Sequence, residues 1–357
     1  MVKAKMGQNE VDAKGGFART AAGWRNKVEV GGEFPPEADR YHLYIALACP
    51  WAAGTLSVLF LKGLEGAISY SVTHPTWRRT RPDDENDTHA GWHFCAPGDP
   101  PVSNANGHGS FECDDALIPD SLNGAKCVRD LYELANDEVG KYSTPVLWDK
   151  KQKTIVNNES TEILRMLNDC FNDFAAHPEV DLYPDASQKE AEELNSFIYP
   201  TVNNGVYRCG FSQSQEAYEE ALGELFSSLD RLEAHLASRR YLTGAAFTWL
   251  DLRLYHTLVR FDPVYHLYFK ANLKRIQDYP NLLGFVRDVY QMDAIKKTTN
   301  MRHIKMHYYT SHAHLNPFGI IPGSNGPDLT VPSNREKLSS VLLEEYVTVV
   351  QRCGWFC

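Results

Sequence analysis

This sequence of 357 residues is conspicuous first for what it lacks. It has no uninterrupted apolar run near the ~20 residues that a membrane-spanning helix requires, so no helical membrane partner or span is expected. The opening MVKAKMGQNE has no apolar core of the kind that marks a secretory signal, and a cytoplasmic location is expected. Basic residues are not in excess: the net charge is −10, which argues against nucleic acid as a partner. That total still permits a small basic pocket for an anionic small molecule. The eight cysteines, at 49, 95, 113, 127, 170, 209, 353 and 357, contain no CxxC pair and no regular framework, as expected in a reducing compartment. His303, His307, His312 and His314 lack a carboxylate or cysteine that would complete a metal set. They read as packing residues, and no metal is expected.

Residues 1–40 are polar and irregular, an arm leading into FPPE. The first regular segment is the apolar run from Tyr41 to Ala48, of strand type, which breaks at Cys49-Pro50. From Trp51 to Lys62, apolar residues at 52, 56, 59 and 60 share one helical face, and Gly63 supplies a stop. Between Arg78 and about Lys126 periodicity disappears into Pro, Gly, Asp, Asn and Ser, the pattern of a lid or a disordered insert. Order returns with a hairpin, Tyr142–Trp148 and Thr154–Val156, followed by a helix from Thr161. The sequence β-α-insert-β-β-α is that of a thioredoxin-like α/β domain, assigned to residues 41–175 with its insert at about 78–127. After Tyr183-Pro184 only helical spacing remains, at 186–200, 214–238, 249–261 and 281–291. An all-helical domain over 184–330 is expected, then a C-terminal extension, 331–357, with a helix at 335–351. Thr248 and Asp251 have capping-box spacing.

Three local features carry chemistry. Cys49 stands where a strand ends and a helix begins, with Pro50 at the first helical position, where no amide is needed. The amides and positive end of such a helix favour thiolate over thiol and lower the pKa, which makes a nucleophile at neutral pH. An inert cysteine ahead of a helix is the competing reading. Thr144-Pro145, between a loop and a strand, is a candidate cis peptide bond. In cis it would turn the Thr144 backbone outward to pair with an extended peptide; an ordinary trans proline at a strand edge is the alternative. Glu159-Ser160 opens a helix, where amides and a hydroxyl hold a carboxylate while Glu159 binds an ammonium. Alone it is only a capped helix. Together, a thiolate, a peptide clamp and an amino-acid-head clamp describe a glutathione site.

The blocks FPPEADRYHLYIALACPWA, YSTPVLWDKKQKTIVNNESTEILRMLN, NNGVYRCGF, LDLRLYHTLVRFDPVYHLYFKANLKRIQDYPNL and HIKMHYYTSHAHLNPFGIIP occur in this order between about Phe34 and Pro327. In them the chain resembles the glutathionyl-hydroquinone reductases, the xi class of glutathione transferases. The resemblance implies a thioredoxin-like N-terminal domain with an all-α C-terminal glutathione-transferase domain, a homodimer, and glutathione as co-substrate without a metal. It implies Cys49 as nucleophile and Trp92 lying over glutathione. Lys141, Tyr142, Ser143 and Thr144 would supply the peptide clamp, with Pro145 as the cis-proline, and Glu159 and Ser160 would hold the γ-glutamyl end. Tyr207 would exchange a proton with the hydroquinone oxygen, while Tyr265 and Tyr308 would sit beside the cysteine and keep it ionised. The implied reaction frees hydroquinones from their glutathione conjugates through a Cys49–glutathione disulfide.

The chain departs from the family at Ala53-Gly54, where His-Arg is usual, and at Thr144, where Val is common. Its insert is longer, and the tail bearing Cys353 and Cys357 lies outside the resemblance. Two other readings stay open: an omega-like thioltransferase or dehydroascorbate reductase, which needs only Cys49, and a non-catalytic transferase-like binding or assembly subunit.

Overall fold

The computed structural model describes residues 4, 5, 7, 10–244 and 246–338, and its described residues divide into two compact units. The expected helix at 335–351 and the Cys353–Cys357 pair fall outside the described residues, apart from a short 3-10 turn at Glu336–Leu338.

The first unit comprises, among described residues, 4, 5, 7 and 10, then Arg19–Ala176 and Asn300–Gly323. Strand β1 (Tyr41–Ile45) leads into helix α1 (Pro50–Leu61) and then β2 (Ser69–Val72), which pairs parallel with β1. Gly63 has φ +61° and lets the chain turn off the end of α1, its amide bonded to Phe60 O. Strands β3 (His74–Arg79) and β4 (Ala90–His93) form a separate hairpin, and helix α2 (Val128–Leu134) follows. Strands β5 (Val146–Asp149) and β6 (Thr154–Asn157) complete a sheet of order β2-β1-β5-β6, and helix α3 (Ser160–Asp169) closes the thioredoxin-like pattern. All five residues of β1 are buried, as a strand covered on both faces requires.

The insert is not structureless. Asp120 organises its return, accepting from Tyr44 Oη at 2.8 Å and from the amides of Leu122 and Ala125 at 3.0 and 2.9 Å. Val102 pairs with Phe111, and Ile118 pairs with Val72 beside the sheet. A small apolar core of Cys95, Val102, Phe111, Cys113, Leu117 and Met306 fills the space beneath. Turn-forming residues hide this order from any periodicity test, because the stabilising groups are single side chains rather than repeating faces.

The second unit comprises Val11–Ala18, His177–Thr299 and, among described residues, 324–338. It is helical: α4 (Asp185–Ile198), α5 (Gly205–Phe211), α6 (Gln215–His235), α7 (Trp249–Leu258), the short α8 (His266–Tyr268), α9 (Pro280–Tyr290) and α10 (Asp293–Thr298). Asp251 fulfils its capping spacing, accepting from the Thr248 amide and hydroxyl at 2.9 and 2.8 Å and from the Leu242 amide at 2.8 Å. Short α5 and α10 carry too few turns to show a 3.6-residue period.

Helix α11 (Met301–Ser311) falls within the region the sequence assigns to the helical domain, yet it clusters with the first unit. Thr310 Oγ1 meets Thr76 Oγ1 at 2.8 Å, Ser311 Oγ accepts from the Trp77 amide at 2.9 Å, and Met306 joins the insert core. The hairpin β3–β4 therefore has a helix on it that comes from the far end of the chain. Among the described residues no helix is long and apolar enough to cross a membrane.

Burial holds four imidazoles of the first unit, His42, His74, His89 and His93, down to about 4. Folded, they stay neutral until about pH 4; unfolded, they protonate near the ordinary 6.5. Stability from this source is therefore complete above 6.5 and is lost as pH falls through that window, because the unfolded rings take up protons that the folded ones do not. Urea midpoints measured from pH 7.5 to 4.5 should fall steeply below 6.5, and a flat profile would contradict the burial of these rings.

Candidate active site

Cys49 is the N-cap residue of α1, with φ −75° and ψ 120°, and Pro50 is the first helical residue. Its carbonyl accepts from the Ala53 amide at 2.9 Å, and its own amide donates to Ala46 O at 3.0 Å, so the β1–α1 turn is closed on both sides. The cysteine is half-buried. Its Sγ lies 3.6 Å from the carbonyl oxygen of Thr144, and the Thr144–Pro145 bond is cis. Two segments that the sequence separates by 95 residues thus meet at the sulfur. Ala53 and Gly54 are both buried within α1. Small residues suit such positions, which explains how the helix tolerates them.

The other described thiols stand apart. Burial pushes Cys95 and Cys209 up to about 12 and Cys127 up to about 11, and it raises Cys113 and Cys170 as well. Such groups stay protonated and are poor nucleophiles.

The clamp loop is held by a residue that sequence reasoning missed. Tyr132 on α2 donates from Oη to Ser143 O at 2.9 Å and accepts from Asn158 Nδ2 at 2.8 Å. Burial pushes its hydroxyl up to about 12, so it remains a donor. One phenol thereby ties the Ser143 backbone to the residue just before Glu159. Tyr142 packs edge-on against Tyr132 and His89, with the Arg129 guanidinium 5.4 Å from its ring centre. Thr144 Oγ1 is buried and has no hydrogen-bond partner among the described residues. Nothing in the sequence marked Tyr132, because the seven-residue helix that carries it is too short to show a period.

Glu159 is the N-cap of α3 and accepts from the Thr161 amide at 3.3 Å and the Ser160 hydroxyl at 3.5 Å. Asn158 in turn accepts from the Trp24 amide at 3.0 Å and donates its own amide to Trp24 O at 3.1 Å. Asn26 donates to Val156 O at 3.1 Å, and Arg25 pairs with Asn157 as an antiparallel bridge. The arm is therefore not a loose leader here: it runs along the edge of β6, beside the α3 N-terminus. Lys141, expected in the clamp, points its ammonium into this arm, toward Glu10 and Thr20.

Trp92 is buried, packs in the core cluster against which Cys49 sits, stacks on His307 at 4.3 Å and meets Trp77 edge-on at 5.5 Å. His307 Nδ1 is held by Pro75 O at 2.9 Å, and His303 Nε2 is paired with Asp114 at 2.9 Å. Tyr308, on α11, belongs to this first unit, with its ring 5.1 Å from that of His307. Tyr207 and Tyr265 belong to the second unit, where their hydroxyls are 3.4 Å apart among the rings of Phe211 and Phe269. Tyr265 ends the π-helical turn Phe261–Tyr265, and Tyr207 lies on α5 shortly after another, Tyr199–Asn203; each turn contains a proline. Wide turns of this kind recur where side chains are re-aimed for function.

Comparison with known proteins identifies the family of both units. Residues 48–170 match the family model described as "Glutathione S-transferase, N-terminal domain", and 215–288 match "Glutathione S-transferase, C-terminal domain". The chain is 46% identical to glutathionyl-hydroquinone reductase YqjG of Escherichia coli, over 90% of this chain and 93% of that protein. It is 44% identical to glutathionyl-hydroquinone reductase PcpF of Sphingobium chlorophenolicum (86% and 89%), and 40% identical to glutathione S-transferase omega-like 2 of Schizosaccharomyces pombe (86% and 93%). Among solved structures, the xi glutathione S-transferase of Phanerochaete chrysosporium superposes with a TM-score of 0.77 at 44% identity, covering 88% of this chain and 99% of that one. The glutathione-bound structure of the Escherichia coli protein gives 0.77 at 44%, covering 88% and 96%.

The contrast among the thiols has a direct consequence. Brief treatment with limiting iodoacetamide at pH 7, followed by peptide mapping, should label Cys49 well before Cys95, Cys127 or Cys209. Equal labelling of Cys49 and Cys127 would contradict a specialised cysteine.

Proposed function

The chain belongs to the glutathionyl-hydroquinone reductases, the xi class of glutathione transferases, and from that premise we propose that it removes glutathione from glutathionyl-hydroquinones. The products are the hydroquinone and oxidised glutathione. The observation that carries this reading is the position of Cys49, capping α1 with its sulfur 3.6 Å from the carbonyl ahead of a cis proline. A backbone clamp and a nucleophile then address the same peptide. An extended γ-glutamyl-cysteinyl-glycine pairing with the Thr144 backbone brings its own sulfur to Cys49, and the helix N-terminus favours the attacking thiolate.

In the conjugate, the glutathione sulfur is bonded to a ring carbon. Tyr207 assists tautomerisation of the ring by exchanging a proton with a hydroquinone oxygen. The Cys49 thiolate then attacks the glutathione sulfur. A disulfide forms, the carbon–sulfur bond breaks with its electron pair on the ring, and a proton completes the hydroquinone. A second glutathione, as thiolate, attacks the Cys49–glutathione disulfide, releasing oxidised glutathione and regenerating Cys49. Glutathione supplies both electrons, so no metal takes part. Tyr265 and Tyr308 support the ionised cysteine, Trp92 walls the glutathione, and Glu159 and Ser160 hold its γ-glutamyl end. The same reading makes the protein a cytoplasmic homodimer that acts in quinone detoxification.

Thiol transfer on glutathione mixed disulfides uses Cys49 without Tyr207, so the two activities separate by mutation. With glutathionyl-menadiol and glutathione, chromatography should find menadiol and oxidised glutathione released in equal amounts. Cys49→Ser should abolish both, and Tyr207→Phe should slow release about a hundredfold or more, the usual scale of a lost proton-transfer group. Unchanged release in Tyr207→Phe would remove the proton-transfer role of Tyr207, absence of release with disulfide exchange intact would move the assignment to a thioltransferase, and silence on both substrate types would favour a binding role.

A further inference from the structure

We infer that Phe17, carried by the N-terminal arm, positions the ring of Tyr207 for proton exchange with the substrate, an inference that rests on the role given to Tyr207 above. Tyr207 lies on α5, and rings from several parts of the second unit pack against it. Phe211 shares its helix, with ring centres 6.1 Å apart, while Tyr265 and Phe269, at 5.9 and 5.6 Å, flank the short α8. Phe17 reaches the same cluster from the other end of the chain. Its ring is 6.5 Å from that of Tyr207 and meets Phe211 edge-on at 5.4 Å, and the residue is only 7% exposed. A phenol that moves a proton must keep both its place and its ring plane, and a ring is kept in plane by the rings packed on it.

The segment Val11–Ala18 is built to deliver that ring. Val11 and Phe17 pair as an antiparallel bridge, closed by the Asp12 amide on Gly16 O at 2.8 Å. The Asp12 carboxylate accepts from the amides of Lys14 and Gly16 at 2.8 and 2.9 Å, which folds the turn between them. That turn seats on the junction of α5 and α6. Gln213 donates its amide to Gly15 O at 2.8 Å. The Ser214 hydroxyl donates to Lys14 O at 2.8 Å while accepting from the Ala217 amide at 3.2 Å, so one group caps α6 and holds the arm. Gly15 has φ +82°, and a Cβ there would come within 3.1 Å of the Ser214 amide nitrogen, so the close seat requires glycine. Glu10 and Thr20, which bound the segment in the chain, are both pinned by the Lys141 ammonium, at 2.8 Å to Glu10 Oε1 and 2.9 Å to Thr20 O. Fixed at both ends and along its turn, the segment holds Phe17 as a standing wall on Tyr207. Without that wall the phenol has space to turn, and a misplacement of about 1 Å is enough to slow a catalysed step by up to about a hundredfold.

The test uses the full-length chain and two reactions. One is release of menadiol from glutathionyl-menadiol, which uses Tyr207; the other is thiol transfer from the mixed disulfide of glutathione and 2-mercaptoethanol, which does not. Phe17→Ala should slow release about tenfold, in kcat rather than KM, the scale of a group misplaced rather than missing. It should change thiol transfer by less than about twofold, and Phe17→Leu, which refills most of the volume, should recover most of the lost release. In the Tyr207→Phe background, Phe17→Ala should slow release by less than about twofold more, because the hydroxyl it positions is already gone. Both rates are read on one preparation, so a partly unfolded variant leaves their ratio unchanged. An equal change in the two reactions would make Phe17 an anchor of the arm and overturn the inference. So would a full Phe17→Ala effect that persists without the Tyr207 hydroxyl. Either result leaves the slow release of Tyr207→Phe, and the reductase reading, intact. Full release by Tyr207→Phe alone would remove the role on which the inference rests, and the inference with it.

Discussion

The contact of Cys49 Sγ with the carbonyl of Thr144 is where the first unit converges. A thiolate needs a positive helix end, and a peptide substrate needs an outward-facing strand edge; neither is useful unless the two meet within a few ångströms. The β1–α1 turn supplies the first and the cis bond before β5 the second. Pairing of β1 with β5, Tyr44 opposite Val146, brings the two turns to the same end of the sheet. The buried strands around them make that register hard to shift, because a slip by one residue would turn every core side chain to the wrong face.

Around this junction, support comes from distant parts of the chain through single polar groups. The Tyr132 hydroxyl joins the clamp loop to the turn before α3. The arm adds itself to β6 and braces the same turn from the other side, through reciprocal bonds between Trp24 and Asn158. Asp120 draws the long insert back onto Tyr44, a residue of the central strand. Each is a buried or half-buried hydrogen bond whose loss would strand a partner, so each is worth more to the geometry of the site than its net contribution to stability suggests. A long polar insert can therefore be carried without loosening the site it adjoins.

The Ala53-Gly54 pair takes on a different aspect in this setting. Ala53 and Gly54 put no polar side chain into the first turn of α1, and both positions are buried. A guanidinium from the arm, that of Arg19, lies over Trp51 in that turn. Charge that the helix does not carry itself is delivered to it by a segment that sequence patterning reads as irregular.

What the sequence determined by itself is what local chemistry dictates. Cys49-Pro50 announces a helix start, Gly63 its end, Thr144-Pro145 a candidate cis turn, and Thr248 with Asp251 a capped helix. The reason is that each depends on neighbours within a few residues, and the helices of the second unit were legible because a 3.6-residue period survives in any long amphipathic stretch. Tertiary structure alone decided the rest: the order of the insert, the docking of α11 onto the β3–β4 hairpin, the strand-like course of the arm, and the use of Lys141 as a pin rather than an open cation. Lys141 meets Glu10 across 131 residues, and Thr76 meets Thr310 across 234. Contacts at such separations leave no periodic trace, since one hydrogen bond between two polar side chains constrains neither neighbouring sequence. They exist only once the sheet and its helices have brought both ends together.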